Sequence, residues 1–514
     1  MESKQRLFYA GDVVVLLPLC VLAVVLRLIK VSQPFVAGWS WKQGTIAMIA
    51  ENFYRDGFNI FYPQINWAGS APGYIGTEFP LVPFLASLLY VPFGVHEWIG
   101  RSVSVAFSVL SLPFFYLLVK KISNQRSAAF AAAIYTIVPL SVFASRSFMS
   151  DMTSLTFSIV ALYLFGRWLE RSNDFALFVG AGLATGLAIL VKAPAIMIGV
   201  PLLYMAWEEH RVRFVLRWEL WAFAAFCLAF PAVWYFHAYL VSISNPPYHF
   251  TGGDGLKIGD LRWYMSVVHE IGSSGLTPIV AAGMLVGIFL PSPAKYGRIF
   301  HWWLLAICVF VFLAGYGNRH IWYQLPIVPV AAVFAGMAFD SGLRSLGALT
   351  RSKVAELFAG GLLFAALAAV CYMYAKPFYD PWAMPLWKAG HEIEHITPAD
   401  ALVIFAMEGN SSGIYYSRRK GWHAFDDSDW GGAPMDSEQA IMQLEKLRKR
   451  GATYLVFTQY TVWWLDYYKD FGNYLDSRYR RVRQTDDYVI FDLAGELNRG
   501  ATTAVSPVSA PMVQ

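Results

Sequence analysis

The chain predicts a polytopic α-helical membrane protein with a small α/β domain at its carboxyl end, and three observations carry that reading. Of 514 residues, 57% are hydrophobic and only 15% are charged, with a mean hydropathy of +0.44. A soluble fold has no use for so much apolar surface, whereas a bundle of membrane-spanning helices does. Apolar runs of spanning length recur as far as residue 374, and beyond residue 375 the composition turns soluble.

A spanning helix needs roughly 20 predominantly apolar residues. That criterion predicts about 11 spans, two of them short: 11–31, 98–119, 127–145, 152–169, 175–191, 194–207, 219–241, 277–291, 300–316, 321–340 and 354–374. The first run lacks a small-residue cleavage site after a short apolar core, so it is expected to be retained as a span. Cys20, Cys227, Cys308 and Cys371 all lie inside apolar runs, which suggests neither a disulfide framework nor a metal-thiolate site. Basic residues gather in the amino terminus (Lys4, Arg6) and in "KKISNQR", "RWLER", "EEHRVRFVLR", "PAKYGR" and "LRSLGALTRSK". These segments occupy every second connection, and the positive-inside rule puts them in the cytoplasm with the amino terminus. The alternation requires that residues 81–95, "LVPFLASLLYVPFGV", do not cross. They are short and contain proline, which suits a helix lying on the membrane surface.

The opposite, outer face then carries two long connections, 32–97 and 242–273. Within the first, Ile46, Ile49, Ala50 and Phe53 recur at helical spacing, with Lys42 one turn before Ile46 and Gln43 and Glu51 facing elsewhere. The pattern predicts a second interfacial helix over 41–55. After the last span, "ALVIF", "TYLVF" and "YVIFDL" read as strands, and "DSEQAIMQLEKLRKRG" reads as an amphipathic helix with a glycine stop. The predicted domains are 1–375 in the membrane, an α/β domain over 376–497 on the outer face, and a disordered tail over 498–514. No internal repeat is evident, which removes one usual pointer to a transporter.

Two carboxylates return to the membrane boundary on the outer side: Glu78 in "TEFPLVPFL" and Asp151 in "SRSFMSDMTSLTF". Charges gathered there are costly unless paired or used. These two motifs, with "GLATGLAILVKAPA" and "RHIWYQLPIVPVAAVFAG", resemble the lipid-dependent glycosyltransferases of the protein O-mannosyltransferase superfamily. The lipid A aminoarabinose transferases belong to the same group, which has the GT-C fold. The resemblance covers roughly residues 10–375 and rests on the order and sidedness of the motifs. It implies transfer of a sugar from a polyprenyl monophosphate carrier to a hydroxyl or phosphate acceptor on the non-cytoplasmic face of a membrane, here a bacterial inner membrane. The partners it implies are that lipid-linked donor, a glycan, lipid or protein acceptor, and the surrounding lipids, with no nucleic acid.

In that reaction the leaving phosphate is stabilised by fixed cations or a metal ion, and an acceptor hydroxyl needs a carboxylate as general base. Asp151 and Glu78 are the candidate catalytic residues, with Asp151 as base. Lys42, Gln43, Arg146, Lys192, Arg319, His320 and Tyr323 are candidates for the donor phosphate and sugar, and Trp39 and Trp41 can stack on a sugar. Each has a plainer reading: Asp151 as a helix cap, Glu78 as a partner of a helix dipole, Lys192 as a snorkelling lysine, and Arg319, His320 and Tyr323 as interfacial anchors. His249, Asp254 and Asp260 in the second long connection are placed to meet an acceptor or merely to be solvated. Relatives usually carry an acid near the start of the first interfacial helix. Here that region reads "SWKQGTIAM", so a divalent metal is left open as a cofactor. Two other function classes compete: a transporter or flippase for a lipid-linked saccharide, and a non-catalytic envelope assembly protein.

Overall fold

The computed structural model describes residues 10–250, 258–407, 409–423, 425 and 432–496. The predicted tail, Asp254, Lys4 and Arg6 lie outside these residues. The chain forms two compact units. One comprises residues 1–65 and 74–382, and the other residues 66–73 and 383–514. The boundary falls after Trp382 rather than at 375 because the 3-10 turn Lys376–Tyr379 belongs with the helices of the first unit: the Phe378 carbonyl accepts from Gly38 N–H at 3.0 Å.

The first unit is all helix. In order it contains α1 (Ala10–Leu28), α2 (Ser40–Asp56), α3 (Leu81–Phe93), α4 (Glu97–Ile122), α5 (Gln125–Ile137), α6 (Pro139–Arg146), α7 (Asp151–Glu170) and α8 (Phe175–Val191). There follow α9 (Gly199–His210), α10 (Trp218–Ser244), α11 (Leu261–Glu270), α12 (Pro278–Gly287), α13 (Ile299–Ala314), α14 (Ile327–Thr350) and α15 (Lys353–Ala375). Among the described residues six helices are long and apolar enough to cross a membrane, or seven if the bent pair α5–α6 counts as one span. The helices α3, α8, α12 and α13 are apolar but shorter; α8, α12 and α13, with the short α9, account for the difference from about 11 predicted spans, and α3 was not expected to cross.

Prolines explain where the predicted runs break. Pro139 forces Val138 out of helical geometry, to φ −61° and ψ 142°, and splits the run at 127–145 into α5 and α6 with a bend of 58°. Pro194 opens a 3-10 turn, Ala193–Ile198, ahead of α9, and Pro326 separates a second such turn, Ile321–Gln324, from α14. The interfacial pair α2 and α3 pack together through Phe53–Phe84 and Tyr54–Tyr90 ring contacts. The buried face of α2 is broader than predicted: Gln43 and Glu51 are buried too, and Glu51 pairs with Arg55 at 2.5 Å.

Three arginines, each with a fully buried side chain, tie this region together, and two of them fix the stretch that leads from α1 into α2. Arg27 bonds Ser145, Ser141 and the carbonyls of Ala23 and Thr136. Arg101 gathers the carbonyls of Val31, Gln33 and Pro34. Arg146 donates to the Lys30 carbonyl at 2.7 Å and lies over the Tyr379 ring. Charge-assisted bonds to carbonyls hold these cations and order the loop at once. Other ion pairs lie elsewhere, among them Lys120–Asp12, Lys121–Glu170, Lys295–Glu209, and Arg126 with both Asp340 and Glu356.

The second unit is a small α/β fold. Helix α16 (Met384–Ile396) precedes β1 (Leu402–Phe405), α17 (Ser412–Ser417) and β2 (Lys420–Trp422). Then come α18 (Ser437–Lys449), β3 (Ala452–Thr458), α19 (Trp464–Tyr467), α20 (Lys469–Arg478), β4 (Tyr479–Gln484) and β5 (Tyr488–Glu496). The sheet order is β2-β1-β3-β5-β4, with β1 parallel to β2 and β3 and the last three strands antiparallel. Helix α18 starts where the Asp436 carboxylate accepts from Gln439 N–H and stops before Gly451 at φ +100°. Residues 66–73, from the connection between α2 and α3, join this unit through backbone bonds between Gly69, Gly421 and Asn66.

Candidate active site

Three of the charged candidates meet. Lys192 Nζ lies 2.9 Å from Glu78 Oε1 and 3.0 Å from Asp151 Oδ1, so one ammonium bridges two carboxylates. All three are buried, at 6–7% exposure, which ion pairs away from a functional site rarely need to be. Each comes from a different connection, and the local structure explains how each is held.

Lys192 is the residue at which α8 ends, its backbone extended and its N–H closing the helix on Ala188. Asp151 is the first residue of α7. The expected cap role falls instead to the preceding position, Ser150, whose side chain makes no capping bond. Asp151 Oδ2 is buried and accepts no hydrogen bond among the described residues. Glu78 sits on the strand-like segment before α3, stitched on both sides. Phe79 N–H donates to the Leu190 carbonyl at the end of α8, and Trp234 Nε1 of α10 donates to the Thr77 carbonyl. Gly76 allows this approach, because a Cβ there would stand 2.1 Å from the Ala238 carbonyl oxygen.

The electrostatics follow from this packing. Burial pushes the Glu78 carboxyl up, but Lys192 and Lys42 outweigh it and hold the group below the usual carboxylate range. For Lys192, burial acts against the charge, while Asp151 and Glu78 raise its pKa well above that of an ordinary lysine. Lys42, half-buried on α2, acts on both carboxylates.

An aromatic wall adjoins the cluster. Lys192 Nζ lies 4.9 Å from the centre of the Tyr323 ring. His320 stacks on Trp322 at 4.1 Å, and Trp41 contacts both. Trp39 touches Trp322 in turn. A small pocket of about 40 Å³ opens along one face of α7, from Asp151 past Ser154 and Ser158, bounded by Lys192, Trp303, Trp322 and Tyr323. Trp322 and Trp303 escaped the sequence reading because a tryptophan near a span end looks like a membrane anchor. The spacing Asp151, Ser154, Ser158 on one helix face was the available signal.

Other candidates are engaged differently. Gln43 is fully buried and acts as a staple: its amide donates to the Gly38 carbonyl at 3.0 Å and accepts from Phe148 N–H at 3.2 Å. Arg146 serves the Lys30 carbonyl and the Tyr379 and Phe143 rings, not the carboxylate cluster. Arg319 is exposed between α13 and α14. Asp260 caps α11 by accepting from Trp263 N–H at 2.8 Å, and the His249 carbonyl accepts from Gly76 N–H. As for a metal, the described residues contain no group of three or more His, Cys, Asp or Glu side chains able to hold one. The space between the two carboxylates is taken by Lys192, so the donor set does not fit a divalent ion.

With this geometry in hand, comparison with known proteins identifies the class of fold. A profile of the dolichyl-phosphate-mannose-protein mannosyltransferase family matches residues 77–236, the segment that contains Glu78, Asp151 and Lys192. Among solved structures, the chain is similar to ArnT from Cupriavidus metallidurans bound to undecaprenyl phosphate. The TM-score is 0.62 at 16% identity over 94% of this chain and 98% of that one. It is also similar to the Archaeoglobus fulgidus oligosaccharyltransferase in the apo form, with a TM-score of 0.61 at 15% identity over 88% and 70% of the two chains. The archaeal oligosaccharyltransferase AglB from the same organism, in complex with an inhibitory peptide and a dolichol-phosphate, gives 0.60 at 14% identity over 96% and 75%. Among curated proteins none matches in sequence. The chain is an integral membrane protein with the GT-C fold, and the resemblance read from its motifs is borne out at that level.

Proposed function

We propose that the protein is a glycosyltransferase that moves a sugar from a polyprenyl-phosphate carrier to a hydroxyl or phosphate acceptor on the outer face of the membrane. The observation that carries this is Asp151: a buried carboxylate at the edge of a pocket, with one oxygen held by Lys192 and the other without a hydrogen-bond partner among the described residues. An unpartnered buried carboxylate oxygen calls for a reason, and a base needs one oxygen free for the proton it takes. The same feature favours catalysis over passage of a lipid-linked saccharide. The family profile over residues 77–236 and the likeness to ArnT bound to undecaprenyl phosphate support the donor class.

The chemistry is direct displacement at the anomeric carbon or its dissociative equivalent. The acceptor oxygen bonds to that carbon, its proton passes to Asp151 Oδ2, and the bond from carbon to the phosphate oxygen breaks. The electron pair leaves with the polyprenyl phosphate. Glu78 and Asp151 fix Lys192 at the phosphate, Lys42 adds a second cation, and the Trp41, His320, Trp322 and Tyr323 rings form a wall for the sugar. Arg319 is exposed next to His320 in the chain. Mass spectrometry of lipids that co-purify with the protein should reveal polyprenyl-phosphate sugars, which then serve as donors in transfer assays. Asp151→Asn preserves size and removes the base, and should lower transfer by roughly 10²–10⁴-fold. Transfer at the parent rate by a folded Asp151→Asn protein would refute the assignment.

A further inference from the structure

We infer that Lys192 performs in this protein the task a divalent cation would perform between the two carboxylates, so that transfer runs on resident ammonium groups alone and needs no metal. This rests on the glycosyltransferase reading above and adds a statement about its charge chemistry. A metal ion shared by two carboxylates sits within bonding distance of an oxygen from each. Lys192 Nζ holds that place, at 2.9 Å from Glu78 Oε1 and 3.0 Å from Asp151 Oδ1. It is anchored there by the end of α8 and is 6% exposed. A divalent ion entering between the carboxylates would stand next to a buried cation, and like charges at such separation repel strongly in a site with little water.

The charge balance shows why the substitution works. With the ion pairs formed, Glu78 and Asp151 bring two negative charges to the cluster, against the ammonium groups of Lys192 and Lys42. The lipid-linked donor is a phosphodiester with one negative charge. When the carbon–oxygen bond breaks, the departing phosphate monoester gains a second. In the same step Asp151 takes the acceptor proton and loses its charge, so the cluster becomes net positive by one. Lys192 is then shared with Glu78 alone, and its freed attraction falls on the phosphate at the moment the new charge develops. Interactions that strengthen only as charge develops are those that accelerate the reaction. A fixed lysine is suited to this because its charge is retained throughout, while the carboxylate beside it switches.

The test uses Mn²⁺ binding to the purified protein in detergent, followed by electron paramagnetic resonance and titration calorimetry, with transfer assays alongside. The parent protein is expected to bind no Mn²⁺ that is lost on Glu78→Gln, and to transfer sugar equally before and after exhaustive treatment with a chelator. Lys192→Met vacates the space between the carboxylates and should create a Mn²⁺ site, which disappears in Lys192→Met combined with Asp151→Asn. Mn²⁺ bound stoichiometrically by the parent and lost on Glu78→Gln would overturn the inference. So would chelator-sensitive transfer restored by Mg²⁺ or Mn²⁺, or a folded Lys192→Met protein that binds no Mn²⁺. If Lys192→Met does not fold, the parent measurements decide alone. Mn²⁺ binding is read without a donor, so the expected metal behaviour with no transfer to any acceptor would refute the proposed function and leave the cation assignment standing.

Discussion

Asp151, Glu78 and Lys192 were legible as single letters because charge at a membrane boundary is expensive and invites a reason. The shared side of their connections predicted that they converge, but the contact itself, one ammonium between two carboxylates, was not legible, since it depends on where α3, α7 and α8 begin and end in space. Gln43 illustrates the opposite error. Its place beside Lys42 suggested a sugar contact, yet its amide joins the start of α2 to Phe148, three residues before Asp151. It holds the turn from which Asp151 emerges, so under the proposed function it is a positioning residue. Gln43→Ala leaves the buried Phe148 N–H and the Gly38 carbonyl without this partner, at a cost of about 1–3 kcal/mol. The expected result is a turnover number at least tenfold lower, with affinity for polyprenyl phosphate within about twofold of the parent. Weakened lipid affinity with unchanged turnover would show that Gln43 is a ligand after all.

Helices and strands were legible to the degree that their periodicity was clean. The apolar strands β1, β3 and β5 and the amphipathic α18 stand where the sequence puts them. Strand β2 has three residues, and β4, "YRRVRQ", is an edge strand whose charge hides its pairing with β5. The helix breaks at Pro139, Pro194 and Pro326 were available in the sequence but overruled by hydropathy, which averages over them. One element matters most for the site. The segment from Gly76 to Phe79 is held between α8 and α10 by three contacts, and its fit depends on the missing Cβ of Gly76. Gly76→Ala would force that segment off α10, and Glu78 would move with it from Lys192. A misplacement of about 1 Å at a reacting centre can cost on the order of 10²-fold. A loss of that order is expected in transfer assays, while Ser352→Ala, which removes only the cap of α15, should leave transfer unchanged. Full activity in Gly76→Ala would show that this segment does not set the position of Glu78.

At the scale of the molecule, the first unit has two chemically distinct ends. At one lie the arginine-held loop after α1, the start of α7 and the carboxylate cluster. At the other, Lys120, Lys121, Arg126 and Lys295 pair with Asp12, Glu170, Asp340 and Glu209. Helix α4 links them directly: Arg101 near its start bonds the loop after α1, and Lys120 near its end meets Asp12 at the start of that same helix. The basic connections predicted to share one side thus belong to the end remote from the site. The positive-inside rule predicts that this end faces the cytoplasm and that the site faces outward, as the proposed function requires. In a background without the four native cysteines, Tyr248→Cys, exposed after α10, should react with a membrane-impermeant thiol reagent applied to intact cells. Gln125→Cys, exposed at the start of α5, should react only after the membrane is opened. The reverse pattern would place the carboxylate cluster in the cytoplasm. A carrier sugar presented on the outer leaflet could not reach it there, so the outward-facing transfer proposed above would fall together with the topology.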